Sequence, residues 1–439
     1  MSLIFSVFIL KLPDFCNFSV CFLHKKSDIS GSEAGSTGSG SSDNAPITAY
    51  RQLVLNVSQH CEMTEKTVFA KRDTYQPLLS FELTTSMDND LPVYITGNFN
   101  NWNTADPACL FTKIAPGHYK LEFATPDQLP EVLEYKYTRG SWDNVELDKY
   151  GNEATNRRVQ PEQALIRDRV PRWRQAGRNY HPDFLPEILI INEQFEIPQL
   201  IKTRRIAALL PYNYHQSERR YPVLYLQDGQ NLFDQFAPFG NWGLDKRLAI
   251  LAEMGLGDLI IIAIDHAEKE RIAEFTPSLQ TKLGKGEGKK YVRFLADTLK
   301  PYVDKHFRTM PEREYTGIGG SSMGGLITIY AGFMYPEVYS KLMVFSPSLW
   351  VAPNIHFQIL NFDDAAPLDI YLYGGNQESA YMVPNLERFK HTLEQRGAEA
   401  NIQFHLSIDP QGKHNEARWG EEFPKAVEWL FFNNGSPKT

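Results

Sequence analysis

A stretch of glycines and serines at residues 316–326, TGIGGSSMGGL, constrains the fold of this 439-residue chain more than any other part of it. It contains the pattern G-x-S-x-G, in which Ser322 stands between Gly320 and Gly324. The pattern is typical of a tight turn that leads from a strand into a helix and exposes the serine hydroxyl. Side chains at the two flanking positions would collide with neighbouring backbone, so both positions favour glycine. The sequence therefore predicts a nucleophilic serine, although an ordinary Gly/Ser-rich loop is the alternative.

The predicted turn would also offer hydrogen-bond donors to the oxyanion that forms when a serine attacks a carbonyl group. The amide of Met323 and the positive end of the helix dipole would both face this oxyanion. A second amide is expected from residues 227–233, QDGQNLF, which follow an apolar stretch typical of a buried strand. Gln230 is the favoured donor in this loop, and Gly229 is the alternative.

Two loops further along the chain carry an acid and a histidine. Glu378 follows a predicted buried strand that ends in glycines, and His414 follows the predicted strand 402–408. The order serine, acid, histidine is that of the α/β-hydrolases. A serine hydroxyl needs a base to take its proton, and the base needs a carboxylate to hold its tautomer. We therefore predict Ser322 as nucleophile, His414 as base and Glu378 as acid.

Two other carboxylates compete for the role of the acid. Asp409 ends the strand before His414 and is the alternative to Glu378. Asp228 precedes the serine in the chain, so the hydrolase order argues for a structural role. A histidine in a loop is also often merely solvated, which is the competing interpretation of His414.

Length and composition restrict the class of protein. The chain is long enough for two domains, and an apolar content of 42% is sufficient for packed cores. A net charge of −8 without a long basic run argues against nucleic acid as a partner. The cysteines form no C-x-x-C pair and no Cys/His cluster, so we expect no metal and no other cofactor.

The N-terminal segment, residues 1–29, is apolar but is interrupted by Lys11 and Pro13, so it is too short and too broken for a membrane span. We expect a signal segment here or, as the alternative, a wrongly assigned start codon, with Met63 as an internal candidate. Residues 30–64 begin with a Gly/Ser-rich flexible linker. A secreted or periplasmic location is slightly favoured over a cytoplasmic one.

We predict an immunoglobulin-like β-sandwich at residues 65–165, because short stretches of alternating apolar and polar residues are separated there by turn residues. Two stretches in it, VYITGNFNNWN at 93–103 and LEYKY at 133–137, resemble starch- and glycogen-binding modules. The resemblance implies an α-glucan ligand and matches the sugar-contacting positions of those modules to Trp102, Lys136, Trp142 and Asn156. Indole faces stack on glucose rings, while lysine and asparagine bond the hydroxyls. The alternative is that both tryptophans are core or interdomain residues.

We expect residues 166–182 to form a connector and residues 183–435 to form the catalytic domain. Strands alternate with helices there, which favours an α/β, doubly wound, mostly parallel sheet with helices on both faces. Arg271 and Trp350 follow strands at the end that lines the crevice of such sheets. We expect Arg271 to bind an anionic or phenolic substrate group or to pair with Glu274. Trp350 is expected to form an aromatic wall or to pack under its loop.

Several motifs together resemble the esterase family that includes enterochelin, feruloyl and acetylxylan esterases and esterase D. They are YPVLYLQDGQ at 221–230, R-x-x-E at 271–274, GSSMGG at 320–325, SPSLW at 346–350 and G-x-H at 412–414. The resemblance implies an α/β-hydrolase with the serine, histidine and acid named above. It also implies that the N-terminal sandwich helps to close the pocket, as in enterochelin esterases.

The predicted function is therefore that of a serine carboxylic-ester hydrolase. Its substrate would be a small-molecule or glycan-linked ester, such as a siderophore, feruloyl or acetyl-sugar ester. One alternative is an acyltransferase to a sugar, since an alcohol can also resolve an acyl-enzyme. The other is a glucan-binding protein whose hydrolase domain is inactive.

Overall fold

A mixed eight-stranded sheet forms the centre of the C-terminal part of the chain. The computed structural model describes residues 79–432, except 90, 124–128, 161–164, 238–239, 278–279, 282, 354 and 356–365. The predictions for the apolar segment 1–29 and the linker 30–64, including Met63, lie outside the described residues. The β-rich region and the eight-stranded sheet belong to one compact unit.

The β-rich region consists of short strands in two larger sheets and one pair. The strands are β1 (Leu79–Thr85), β2 (Tyr94–Gly97), β3 (Thr112–Ala115), β4 (His118–Phe123), β5 (Leu133–Thr138), β6 (Glu146–Leu147), β7 (Arg157–Val159), β8 (Leu165–Val170) and β9 (Arg172–Trp173). The sheet orders are β3-β4-β1-β8, β2-β5-β7 and β6-β9. Alternate residues of both larger sheets face one core, where the rings of Phe81 and Tyr135 meet edge to face at 5.4 Å. The period of two in the sequence therefore predicts this core correctly.

The expected connector, residues 166–182, begins too early and needs correction. Strand β8 pairs in parallel with β1, and its alternate residues Ile166 and Val170 are buried in the core. Trp173 in β9 is also buried, and its indole N–H donates to Thr85 Oγ1 at 3.0 Å. Arg167 and Arg169 suggest a linker, but they occupy the outward positions of β8, whose alternate residues Ile166 and Val170 are buried.

The eight-stranded sheet has the order β10-β11-β13-β12-β16-β17-β18-β19. Its strands are β10 (Glu187–Ile197), β11 (Lys202–Leu210), β12 (Val223–Gln227), β13 (Ile260–Ile264), β16 (Thr316–Ser321), β17 (Lys341–Phe345), β18 (Leu368–Gly375) and β19 (Ile402–Asp409), while β14 (Gln280–Thr281) and β15 (Gly284–Lys285) form a separate hairpin. Strands β10 and β11 are antiparallel to their neighbours, and the other six strands of the sheet run parallel to one another. The prediction of a mostly parallel α/β-hydrolase sheet is confirmed.

Helices cover both faces of this sheet. They are α1 (Leu244–Glu253), α2 (Arg271–Phe275), α3 (Gly288–Phe294), α4 (Lys300–His306), α5 (Met323–Met334), α6 (Met382–Ala400) and α7 (Glu416–Val427), with π-helical turns at Leu295–Leu299 and Glu428–Phe432. Short 3-10 helices lie at Pro107–Cys109, Trp142–Asn144, Pro182–Phe184, Tyr214–Gln216, Gly229–Asn231, Glu268–Glu270 and Arg313–Tyr315. Along β12, Val223 and Tyr225 face one apolar core while Leu224 and Leu226 face the other. A strand buried on both faces therefore needs the uninterrupted apolar run that the sequence has.

The helical segment at residues 288–306 is interrupted by a π-helical turn. It comprises α3, the π-helical turn Leu295–Leu299 and α4, which begins one residue before Pro301. Proline has no amide hydrogen to continue the hydrogen-bond ladder, so the turn before it adopts a wider helix. Among the described residues, no helix has both the length and the apolarity needed to cross a bilayer.

The β-rich region contacts the outer helices through polar groups. Lys149 Nζ and the Tyr150 hydroxyl bond Glu428 at 3.1 and 2.6 Å. Arg172 forms a short ion pair with Glu253 on α1. These contacts join the β-rich region to the side of the sheet that α1 and α7 cover.

A buried ion-pair cluster fixes α2 against strand β11. The side chain of Glu274 is fully buried and accepts hydrogen bonds from Arg204 Nη2 at 2.8 Å and Lys202 Nζ at 3.1 Å. Lys202 also contacts the exposed Glu270 at 2.6 Å. Because Glu274 compensates two cations, this buried carboxylate anchors α2 to β11.

Replacing Glu274 by glutamine should lower the free energy of unfolding by about 3 kcal/mol, because the largely buried Arg204 loses its counter-charge. Urea unfolding followed by circular dichroism measures this change. Glu270→Gln is the matched control, since it removes an exposed carboxylate from the same lysine and should cost less than about 1 kcal/mol. Equal losses in the two variants would contradict the assignment.

Candidate active site

The turn between β16 and α5 holds Ser322 in a strained backbone conformation. Its φ of 57° and ψ of −119° lie in a region that residues with a side chain rarely adopt. A Cβ on Gly320 would lie 2.9 Å from the carbonyl carbon of Gly324, and a Cβ on Gly324 would lie 3.0 Å from Asp228 Oδ2. The two glycines of the G-x-S-x-G pattern therefore allow the backbone to close around the serine.

The hydroxyl of Ser322 lies against a second serine. Its Oγ is 3.3 Å from Ser348 Oγ, and the Ser348 amide donates to the Ser322 carbonyl at 3.0 Å. Ser348 is buried, whereas Ser322 is partly accessible. The Ser322 amide donates to the carbonyl of Phe345, the last residue of β17, at 2.9 Å. The loop after β17 thus holds both the backbone and the resting hydroxyl of Ser322.

The structure brings Glu378 and His414 together. His414 Nδ1 lies 2.7 Å from Glu378 Oε2. The carboxylate is only 1% exposed, and its other oxygen accepts hydrogen bonds from Ser346 Oγ at 2.7 Å and the Gly375 amide at 2.6 Å. The imidazole of His414 meets the indole of Trp419 edge to face at 4.9 Å. A buried, fully hydrogen-bonded carboxylate therefore orients an imidazole that remains 40% exposed.

Two glycines allow the acid loop and the histidine loop to touch. Any side chain on Gly375 would overlap the backbone of Gly412, and one on Gly412 would overlap Gly375. The Gln377 amide donates to the Gly412 carbonyl at 2.9 Å, and the Asn376 amide donates to the Asp409 carbonyl at 3.0 Å. Backbone contact between the two loops thus sets the separation of Glu378 and His414.

The two competing carboxylates have other partners. Asp409 accepts from Arg418 at 2.9 Å and from the Tyr373 hydroxyl at 3.2 Å. Asp228 is buried and forms a bidentate pair with Arg271, at 2.6 Å to Nε and 2.8 Å to Nη2. The contacts of Asp228 agree with a structural role beneath the serine turn.

The suggested pairing of Arg271 with Glu274 is wrong. Glu274 accepts from Lys202 and Arg204 instead, and the guanidinium of Arg271 faces Asp228. Residues three apart on a helix are neighbours, which made the pairing reasonable from sequence. A buried aspartate in the loop after β12 competes better for the guanidinium, since both of its oxygens can be bonded.

The two expected oxyanion donors have different local settings. Met323 is the first residue of α5, where an amide has no partner within the helix. Gln230 lies in the 3-10 helix Gly229–Asn231, and its side-chain amide exchanges two hydrogen bonds with the backbone of His266, at 2.8 and 3.2 Å. Asn231 Nδ2 in the same turn reaches Glu416 Oε1 at 3.4 Å. The Gly229–Asn231 turn is therefore tied both to the loop after β13 and to the start of α7.

Titratable groups around this turn have shifted pKa values. Burial raises the pKa of the Glu416 carboxyl, and the nearby charge of Asp228 raises it further. Burial also lowers the pKa of the His266 imidazole. Within the described residues no group of His, Cys, Asp and Glu side chains could hold a metal ion.

A cleft of about 780 Å³ opens beside His414 and Glu378. Trp350 lines it and is 60% exposed, and Tyr381 lines it and is 76% exposed. Every described residue that lines this cleft lies between positions 347 and 414. The N-terminal β-rich region therefore contributes no described residue to the walls of this cleft, contrary to the expectation that it helps to close the pocket. Trp350 forms part of the cleft wall rather than packing under its loop.

The candidate sugar-contacting residues of the β-rich region lie in two arrangements. The rings of Trp102 and Trp142 are 6.3 Å apart and inclined by 37°, and Trp142 is 46% exposed. Lys136 Nζ donates to the carbonyl of Ala154, and Asn156 Nδ2 approaches Glu134 Oε2 at 3.5 Å. The two indoles thus form an accessible aromatic pair, while Lys136 and Asn156 have partners within the chain.

Several residues that organise the site were not predicted from the sequence. Ser346 donates to Glu378, and Ser348 contacts the hydroxyl of Ser322. Trp419 packs against the imidazole of His414. The indole N–H of Trp419 also donates to Ser346 Oγ at 2.9 Å. For the two serines, the sequence offered one signal, the motif SPSLW directly after β17. This motif identifies a loop but does not say what the serine hydroxyls contact.

A family model described as "Putative esterase" matches residues 198–430, which is more than half of the chain. The chain belongs to this esterase family and is a carboxylic ester hydrolase. The match begins in the turn before β11 and ends in the last helical segment, so it covers the whole eight-stranded sheet except β10.

The chain is also similar to individual proteins. The uncharacterized protein YbbA of Bacillus subtilis (strain 168) is 25% identical over 249 residues, which cover 53% of this chain and 94% of that protein. An alpha-amylase of Niallia circulans is 46% identical over 70 residues, which are 16% of this chain and 5% of the amylase. Among solved structures, the enterobactin esterase FES from Shigella flexneri is 16% identical, covers 80% of this chain and 92% of its own, and gives a TM-score of 0.45.

Replacing Ser346 by alanine should lower the free energy of unfolding by about 1–3 kcal/mol, because Glu378 Oε1 and the buried Trp419 indole each lose a partner. Thermal unfolding measures this loss. Ester turnover should fall as well, since the carboxylate that orients His414 is held less firmly. Ser379→Ala, at the rim of the cleft, is the control and should leave stability unchanged within about 0.5 kcal/mol. Full stability in Ser346→Ala would contradict the inferred network.

Proposed function

We propose that the chain hydrolyses carboxylic esters through an acyl-enzyme on Ser322, with His414 as the base and Glu378 as the acid. The observation that carries this proposal is the 2.7 Å contact between His414 Nδ1 and the buried Glu378 carboxylate. This contact fixes the tautomer that leaves the other ring nitrogen free to accept a proton. The strained, partly accessible serine of the G-x-S-x-G turn supports the assignment of the nucleophile.

The proposed reaction has two halves. His414 accepts the proton of Ser322 as the hydroxyl oxygen attacks the ester carbonyl, and the resting contact with Ser348 is given up in this step. The amides of Met323 and Gln230 bond the oxyanion. The intermediate collapses with transfer of the proton from His414 to the leaving alcohol. Water, deprotonated by His414, then attacks the acyl-enzyme, and the second intermediate collapses as His414 returns this proton to Ser322 Oγ and the acid leaves.

The walls of the cleft favour an ester with an aromatic group. Trp350 and Tyr381 offer exposed ring faces beside His414, and Arg388 adds a cation to the same cleft. Aromatic rings pack well against such faces, and a guanidinium favours a phenolic or anionic substituent. Feruloyl and catecholate esters therefore fit this cleft better than a simple acetyl ester does. Arg271 would contribute only if its bond to Asp228 were exchanged for the substrate.

Ser322→Ala should lower kcat for p-nitrophenyl acetate roughly a millionfold, as expected when the nucleophile of a triad is removed. The variant should keep its circular-dichroism spectrum and its urea midpoint. Ser321→Ala is the matched control, because it removes the neighbouring hydroxyl from the same turn and should keep most of the activity. A fluorophosphonate probe should label the wild-type protein and Ser321→Ala, but not Ser322→Ala. Retained turnover in Ser322→Ala, or an unlabelled wild-type protein, would remove the proposal.

A second function, α-glucan binding by the β-rich region, is favoured by the accessible indole pair of Trp102 and Trp142. The match to an alpha-amylase over 70 residues agrees with this idea. Two indoles inclined to each other can stack on successive glucose rings of a curved chain. The role of Lys136 and Asn156 would be secondary, since each would exchange an internal bond for a sugar hydroxyl.

Trp102→Ala in the full chain should weaken retention on amylose about tenfold, which corresponds to a loss of about 1.4 kcal/mol. Affinity electrophoresis in gels that contain amylose measures the change. Trp350→Ala is the control, because it removes an exposed indole from the cleft beside His414 and should not alter retention. If amylose retards the wild-type protein and Trp102→Ala equally in the gel, the indole pair does not bind glucan.

A further inference from the structure

A second cleft, of about 640 Å³, lies between residues 174–180, the first turn of α1 and the outer face of α7. It shares no described lining residue with the cleft beside His414. Four cationic side chains line it, namely Arg174, Arg178, Lys246 and Arg247. Glu421 is the one carboxylate among the described lining residues.

The acidic groups near this second cleft are largely engaged elsewhere. Glu421 accepts from Arg418 Nη1 at 2.6 Å, and Arg418 also pairs with Asp409 at 2.9 Å. Arg174 has its own partner, since its Nη2 donates to Glu153 at 2.8 Å. Asp148 lies nearby, but one of its oxygens accepts the amides of Tyr150 and Asn152, both at 2.8 Å.

Three cations therefore remain without an ion pair. Arg178 and Lys246 form no ion pair within the part of the chain that the structure describes. Arg247 is partly buried, and its Nη1 donates to the neutral Asn152 Oδ1 at 2.7 Å. Burial lowers the pKa of Arg247, although Glu421 and Asp148 act in the opposite direction. Three like charges on one concave surface repel each other and attract an anion.

We propose that this second cleft binds a small polar molecule through a phosphate or carboxylate group. The guanidinium groups of Arg178 and Arg247 can each bond two oxygens of such a group, and Lys246 adds a point charge. Lys246 and Arg247 also lie in the first turn of α1, where the positive end of the helix dipole is shared with Asp245 of the same turn. The proposal is independent of the role of Ser322, because the catalytic residues do not line this cleft.

Isothermal titration calorimetry on the full-length Trp102→Ala variant, which lacks one indole of the candidate glucan-binding pair, tests the proposal with four probes: glucose 6-phosphate, glucuronate, inorganic phosphate and glucose. Glucose 6-phosphate or glucuronate should bind, glucose should not, and higher salt should weaken binding. Whichever anion binds more tightly identifies the group that the cleft accepts. Binding of inorganic phosphate as tight as that of glucose 6-phosphate would mean that the anion alone supplies the affinity.

Arg178→Gln and Lys246→Gln should each weaken binding of the anionic probe roughly tenfold. Both side chains reach solvent, so neither change should affect folding, which a urea midpoint checks. Lys305→Gln removes an exposed lysine from α4 and is the matched control, with unchanged affinity expected. No binding of any anion at millimolar concentration, equal binding of glucose, or unchanged affinity in both cleft variants would overturn the proposal.

Discussion

The buried carboxylate of Glu378 joins the three loops on which the candidate site depends. It accepts from Ser346 after β17, from the backbone of Gly375 at the end of β18, and lies against His414 after β19. A carboxylate that is almost completely removed from water is stable only while its oxygens are bonded. The geometry of the site therefore depends on the ends of β17, β18 and β19 keeping their relative positions.

The glycines of the site have a common physical role, which is close approach of backbone. Gly320 and Gly324 face each other across the serine turn, and Gly375 meets Gly412 where the acid and histidine loops touch. The first pair is part of a local pattern and is readable from the sequence. The second pair joins positions far apart along the chain, so its partner is not readable from either stretch alone.

The sequence predicted most elements of the fold because their apolar periods are strong. An uninterrupted apolar run marked the buried strand β12, and alternation marked the strands of the β-rich region. It failed at β8, where arginines on the outward face suggested a linker. It also failed for the partner of Arg271, since a contact within one helix was preferred to a bidentate pair with Asp228 in the loop after β12.

The sequence by itself determined the parts of this protein that depend on local backbone chemistry, namely the strained serine turn, the order of serine, acid and histidine, and the family. Tertiary structure alone decided that Glu378 rather than Asp409 contacts His414, and that Ser348 contacts the hydroxyl of Ser322. It also decided that cations from separate segments line one cleft. The reason is that these contacts depend on distances between loops, which the packing of the sheet and its helices sets and no local pattern encodes.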